Sequence, residues 1–266
     1  MRAMADEARG DPARVVMLCT DCPASRMIFH RLAAEVGEVD VVVEDPVPRR
    51  NLLRRRVERL GPARVLGQLL FMVLVVPVLR WRSRHRMEAI QRQHALVEAP
   101  LRVTQRVRSV NSPEARAVLR ELRPAVVVVC GTRIIDRDTL GAITAPVVNF
   151  HAGITPAYRG VHGGYWALAE GRPDLVGSTV HLVDEGIDTG GVLEQRTFAV
   201  TRGDSFVTYP SLHVAAALPA LVSACRRVLQ GEPLVPVPAP AGLPSRLRSH
   251  PTLWGWLRVA VVKGVR

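Results

Sequence analysis

The sequence predicts a three-layer α/β domain, Rossmann-like, with a mostly parallel central sheet and a helical insertion. Three observations predict it. From residue 14 onward strand-like and helix-like segments alternate, as parallel sheets with crossover helices require. The run "AVVVVCG" (125–131) is apolar without alternation, the mark of a strand buried on both faces. A break in the pattern between residues 46 and 110 is basic and helical in character.

The elements follow in order. "RVVMLC" (14–19) is a short β-branched run, and "PASRMIFHRLAAEVG" (23–37) has apolar residues at helical spacing. "VDVVVED" (39–45) reads as the second strand. "PEARAVLRELRP" (113–124) is a helix with proline at a favourable first position, leading into the buried run above. "APVVNF" (145–150) is a strand, "YWALAEG" (165–171) a helix ending at Gly171, and "GSTVHLVD" (177–184) a strand. "FAVT" (198–201) reads as the last strand, and "SLHVAAALPALVSACRRVLQG" (211–231) as the closing helix. Domain boundaries are therefore expected as a flexible tail over 1–12, the α/β domain over 13–231 with its insertion at about 46–110, and a tail over 232–266. "EPLVPVPAPAGLPS" is too proline-rich for helix or central strand, so that tail is expected to be extended.

Composition bounds the function. The formal net charge is +12, which ordinarily suggests nucleic acid or an anionic membrane. Lys263 is the only lysine, so the excess is almost wholly arginine. No stretch interleaves aromatics with basic residues as single-strand binders do, and no nucleic-acid partner is expected. The four cysteines make no secreted disulfide framework in a 266-residue chain, and the first residues lack a signal-peptide core; a cytoplasmic setting is expected. Cys19 and Cys22 form a C-x-x-C after a strand, which either belongs to a thiol redox centre or is a small-residue loop at a helix start. No second pair completes a zinc site, and no metal is expected. Residues 65–79 are apolar between Arg64 and Arg80, some fifteen residues against the roughly 20 that span a bilayer. The segment is expected to pack as a buried helix, or to make a peripheral membrane contact or a homodimer through about 65–86, with Phe71 and Trp81 near lipid headgroups in the membrane case.

The chemistry lies in two segments. In "VVNFHAGITPAYRG" (147–160), Asn149 and His151 stand two apart where a strand ends, so both point to one face. Strand ends are where open α/β sheets bind ligands. In "GSTVHLVDEGIDTG" (177–190), a strand runs into an acidic loop with Asp188 between Gly186 and Gly190, where the glycines are expected to let the backbone turn. Asn149 and a protonated His151 suit an oxyanion. Asp188 suits orientation of the imidazole and removal of an amine proton, directly or through water. Together they fit acyl transfer to an amine without a serine or cysteine nucleophile.

These motifs resemble the folate-dependent formyltransferase family, which includes glycinamide ribonucleotide formyltransferase, methionyl-tRNA formyltransferase and amino-sugar N-formyltransferases. "NFHAGITPAYRG" followed by "GSTVHLVDEGIDTGGVL" matches its Asn-x-His, proline loop and downstream Asp-x-Gly turn, over roughly residues 105–205. The resemblance places Asn149, His151 and Asp188 on the three catalytic positions. It implies 10-formyltetrahydrofolate as formyl donor, held by Arg133, Ile134 and Ile135 of "GTRIID" and by Val183, Asp184, Glu185, Gly186 and Ile187 of "VDEGID". Tyr158, Arg159, His162 and Tyr165 beside the catalytic strand are candidates for acceptor binding, against a reading as loop structure. His181 and His213 read as structural.

Departures narrow the acceptor. "AGITP" replaces the family's Ser-Leu-Leu-Pro, keeping Pro156. "CTDCPAS" stands where the purine enzyme has a glycine-rich phosphate cradle, and Asp21 is expected to repel phosphate. No barrel of the kind expected of a methionyl-tRNA enzyme is read in the sequence. A small-molecule amine, an amino sugar or another biosynthetic amine, is therefore expected ahead of glycinamide ribonucleotide. A formyltetrahydrofolate deformylase, a thiol redox protein and a silent folate binder are the alternatives.

Overall fold

A computed structural model describes residues 14–238 and 242–266, so the N-terminal tail expected over 1–12 lies outside the described residues. Seven strands form the central sheet in the order β3-β2-β1-β4-β5-β7-β8. They are β1 (Val15–Cys19), β2 (Val39–Glu44), β3 (Gln105–Val107), β4 (Val126–Cys130), β5 (Val147–His151), β7 (Gly177–Leu182) and β8 (Val192–Thr197). The first five are mutually parallel; β7 runs antiparallel to β5, and β8 antiparallel to β7.

The helices are α1 (Pro23–Val36), α2 (Arg49–Leu60), α3 (Pro62–Gln93), α4 (Pro113–Leu122), α5 (Arg137–Gly141), α6 (Gly163–Ala169), α7 (Tyr209–Leu229) and α8 (Leu253–Lys263). Alternate residues of each inner strand face opposite layers. Val15, Met17, Val41, Val126 and Val128 pack with Met27 and Leu32 of α1 and with Leu218 and Leu221 of α7. Val16, Leu18, Val42, Val127 and Val129 pack with Ala115 and Leu119 of α4. Both faces of β1 and β4 are thus covered, which is why their sequences do not alternate.

The insertion is helical, but β3 within it was not anticipated: it adds the edge strand beside β2. α2 buries none of its residues. α3 is continuous through a π-helical turn at Phe71–Val75, and Phe71 is fully buried, edge-on to Phe206 at 4.9 Å and tilted on Trp256 at 5.8 Å. Arg86 ties α3 to the body, its Nε and a terminal nitrogen donating to the two carboxylate oxygens of buried Asp204 at 2.8 and 3.1 Å.

Two further expectations fail. "FAVT" is not a strand; the edge strand is the preceding Val192–Thr197, and Phe198 and Val200 turn inward to pack on the core. Nor is the C-terminal segment simply extended. Its proline-rich start makes one bridge, Val192 to Val237, and Leu247–Arg248 then forms β9, paired with β6 (Arg159–Gly160). Helix α8 follows and packs on α3. The side chain of Gln68 holds this junction, donating to the His250 carbonyl at 2.8 Å.

Candidate active site

β5 delivers Asn149 and His151 to one face at its C-terminal end, as their i, i+2 spacing predicts. Asp188 returns to them from the loop after β7. Its Oδ1 lies 3.3 Å from His151 Nδ1, and its Oδ2 accepts from the Gly160 backbone N–H at 2.8 Å. The other ring nitrogen of His151 donates to the Tyr158 carbonyl at 2.7 Å. Gly153 makes this packing possible, because a Cβ there would lie 2.4 Å from the Tyr158 oxygen and 2.8 Å from the imidazole.

The acidic loop turns differently from the expectation. Asp188 itself occupies the left-handed region, at φ 52°. Gly186 and Gly190 do not; at Gly190 a Cβ would meet the Leu182 carbonyl at 1.8 Å, so that glycine serves close approach. A non-glycine residue held at positive φ is a local strain that surrounding contacts sustain, a pattern common at functional sites.

His181, read from sequence as structural, joins the site. Antiparallel pairing sets it opposite Asn149, whose amide nitrogen donates to its Nε2 at 3.0 Å. His181 Nδ1 donates to the Leu182 carbonyl at 2.7 Å, which leaves Nε2 to accept and orients the Asn149 amide. One N–H of Asn149 then remains for a ligand. Its one sequence signal is a histidine on the strand that enters the acidic loop.

Electrostatics follow from burial. Burial pulls His151 below the ordinary 6.5, while the Asp188 carboxylate and Tyr158 carbonyl oppose it. Its resting ring is neutral, and a proton gained there completes an ion pair with Asp188. For Asp188, burial works to raise the pKa, but its contacts with His181, His151 and the Gly160 N–H outweigh it and hold the carboxyl below 3.8.

These side chains open into a cavity of about 500 Å³ at the ends of β4, β5 and β7, within the usual range for small-molecule sites. Arg133, Ile134, Ile135, Val183, Asp184, Gly186 and Ile187 all line it. Glu185 does not; it faces solvent, 3.3 Å from Arg137. Arg133 contributes backbone there, because its guanidinium is committed elsewhere. It pairs with Glu44, a carboxylate buried at the end of β2, and donates to the carbonyls of Asp45 and Arg108 at 3.0 Å each. Glu44 also accepts from the backbone N–H groups of Val110 and Arg133, at 2.9 Å each.

None of the four acceptor candidates lines the cavity. Tyr158 and Tyr165 are corrected to core residues: Tyr158 donates to Glu170 at 3.1 Å, and Tyr165 packs edge-on to Phe206. Arg159 braces the acidic loop through the Ile187 carbonyl at 3.1 Å. His162 turns away to His250, 2.9 Å from its Nδ1. Asp21 is not a free negative charge, since Arg26 donates to it at 2.8 Å.

Cys22 stands at the N-terminal boundary of α1 and lines the cavity, where its thiol meets Cys130 of β4. Hydrogen bonding from Cys130 brings the Cys22 thiol down to about 5 despite burial, whereas burial pushes Cys19 up to about 12. All four cysteines are free thiols. Among the described residues no group of side chains could hold a metal ion.

A mostly parallel seven-stranded sheet carries Asn149, His151 and Asp188 together at one end, in the wall of one cavity. The chain belongs to the folate-dependent formyl transferase family: the formyl transferase model matches residues 72–223. Methionyl-tRNA formyltransferase of Anaeromyxobacter sp. (strain K) is 38% identical over 122 residues, covering 46% of this chain and 38% of that one. That of Pelotomaculum thermopropionicum is 32% identical over 177 residues, covering 61% and 56%. The matched regions are thus less than two thirds of the length of these relatives. Among solved structures, a sugar N-formyltransferase from a Shewanella species superposes with a TM-score of 0.54 at 14% identity, covering 88% of this chain and 76% of that one. Glycinamide ribonucleotide transformylase 1 from Symbiobacterium toebii gives 0.54 at 17%, covering 91% and 95%. The two structures share this fold.

Proposed function

We propose that the chain transfers a formyl group from 10-formyltetrahydrofolate to a primary amine of a small molecule, an amino sugar or comparable biosynthetic amine. The observation that carries this reading is the placement of His151 and Asp188 at 3.3 Å, with Asn149 beside them, in the wall of one cavity. The cavity suits a flat heterocycle: Ile134, Ile135 and Val183 offer apolar faces, and the backbones around them offer donors and acceptors. When bound, the donor supplies a formyl carbon already attached to nitrogen. The chain does the rest. The free N–H of Asn149 is aimed at the charge that grows on the formyl oxygen, a contact worth roughly 3 kcal/mol in comparable sites. His151 gives its one ring N–H to the Tyr158 carbonyl at 2.7 Å, and would have to share it to reach the same oxygen. The Asp188–His151 pair would take the proton that the acceptor nitrogen loses as its bond to the formyl carbon forms, and would return it to the donor nitrogen as the bond from that nitrogen to the carbon breaks.

The acceptor assignment rests on the absence of a phosphate cradle in "CTDCPAS"; Asp21, paired with Arg26, adds little to it. The test is formyl transfer by the full chain with glycinamide ribonucleotide and with nucleotide-linked amino sugars. An amino sugar is expected to be the better acceptor. A kcat/KM above about 10⁴ M⁻¹s⁻¹ for glycinamide ribonucleotide, the low end of ordinary enzymes, refutes the acceptor reading. Formate release without any acceptor would make the chain a deformylase. His151→Ala is expected to abolish transfer while donor binding by calorimetry persists.

A further inference from the structure

Helices α3 and α8 lie together and leave an apolar face uncovered. Leu66, Leu69, Val73, Val78 and Trp81 form a stripe along α3, Val73 and Trp81 each 68% exposed. Trp254, Leu257 and Val261 continue it on α8 at i, i+3, i+7 spacing, with Val261 84% exposed. Such a contiguous exposed patch marks an interaction surface. Arginine fringes it: Arg80, Arg82 and Arg84 on α3 and Arg258 on α8 are exposed, and among the described residues none of the four forms an ion pair. Glu88 is the only acidic residue of α3. Beside α8, between it, α6 and Arg64 at the start of α3, opens a second cavity of about 660 Å³, whose lining includes Arg64, His250, Trp254, Arg258 and Lys263.

The occupant follows from charge. A second copy meeting this face across a two-fold axis would set the same arginines against one another, with almost no acid to pair them. An anionic bilayer supplies both an apolar interior and a layer of negative phosphates. The 32-residue α3 is long and apolar enough to cross a membrane by composition alone. It is held back from crossing, because Phe71, Val76, Leu79 and Ile90 are buried in the body and Arg86 is bound to Asp204. The face must lie on the membrane rather than pass through it. Phe71 accordingly has no place among the headgroups expected for it, whereas Trp81 does.

We propose that the α3–α8 face docks the protein, as a monomer, in the interfacial layer of an anionic phospholipid bilayer, and that the basic cavity beside α8 receives a lipid phosphate. This is independent of the reaction the site performs.

The test is flotation of the full chain with phosphatidylcholine vesicles, with and without added phosphatidylglycerol, at low and high salt. Flotation is expected with phosphatidylglycerol at low salt, and its loss at high salt as charges are screened. Val73→Ser with Val261→Ser, both highly exposed and so neutral to folding, should weaken partition about tenfold. Arg80→Glu with Arg82→Glu should remove the preference for phosphatidylglycerol, and Arg258→Glu should weaken it. Each variant should keep wild-type circular dichroism and formyl transfer to a soluble amine. Equal flotation on neutral vesicles overturns the proposal, as does failure to float, whether the protein sediments as a monomer or as a salt-insensitive dimer. Should no formyl transfer be seen in any form, the function falls while the docking result stands.

Discussion

Replacing Asp188 with asparagine removes one charge and almost no volume. The backbone tolerates the change, because asparagine adopts the left-handed conformation of position 188 as readily as aspartate. What disappears is the attraction between a carboxylate and a ring nitrogen 3.3 Å away. At an effective dielectric of about 20, two unit charges at that distance attract by about 5 kcal/mol. His151 is neutral at rest and charged as the proton is transferred, so the term acts mainly on the transition state. If between half and four fifths of it is expressed, kcat falls by about 10²–10³-fold with little change in donor affinity. The direction of titration is also fixed. Asp188 raises His151 against burial, so Asp188→Asn drops the ring further below 6.5, and any limb of the profile that needs a protonated ring moves to lower pH. The assay is steady-state formyl transfer across about pH 6–9 with donor affinity measured separately. A variant within about threefold of the parent in kcat throughout that range would refute the assignment.

Three further outcomes are expected. The thiolate is the reactive form, so iodoacetamide at neutral pH should label Cys22, lowered to about 5, well before Cys19 or Cys225, both pushed up to about 12; peptide mapping that finds Cys225 first contradicts this. His162 and His213, held to about 3, and His250, held to about 4, are buried uncharged, burial being the main cause in each. Their folded values lie below the unfolded 6.5, so they contribute fully above it. Stability should fall as pH drops from about 6.5 toward 4, on the order of 1 kcal/mol per pH unit for each histidine, and urea unfolding with an unchanged midpoint from pH 7 to about 5 argues against it. Arg86→Ala strands the buried Asp204 carboxylate and should cost about 3–5 kcal/mol in urea unfolding; a loss under about 1 kcal/mol would show that Asp204 relaxes to water.

Periodicity made β1, β4 and the trio legible. Val126–Cys130 shows no alternation because two layers cover it, and Asn149 and His151 must share a face wherever their strand lies. His181 was not legible, because its role depends on β7 pairing antiparallel with β5, a long-range fact that no local pattern encodes. Tyr158 and Tyr165 failed for the opposite reason: proximity in sequence to a site says nothing about direction, and both point into aromatic and polar packing behind it. Helix α8 was hidden by the prolines before it, which set the local backbone but do not govern what folds some ten residues later. Asp21 shows that a charge read alone is incomplete until its partner is known.

The Glu44–Arg133 clamp bears on how this protein can be rebuilt. One carboxylate holds the end of β2, the turn before α4 and the loop at the mouth of the cavity, so three segments far apart in sequence share a single anchor. Modular exchange must respect it. A chimera that replaces residues 46–93 with a shorter connection leaves the anchor whole and should keep the cavity mouth in register. A splice that extends through Arg108 and Val110 replaces two of the groups it binds, and the graft would then disturb a ligand loop that it never touches.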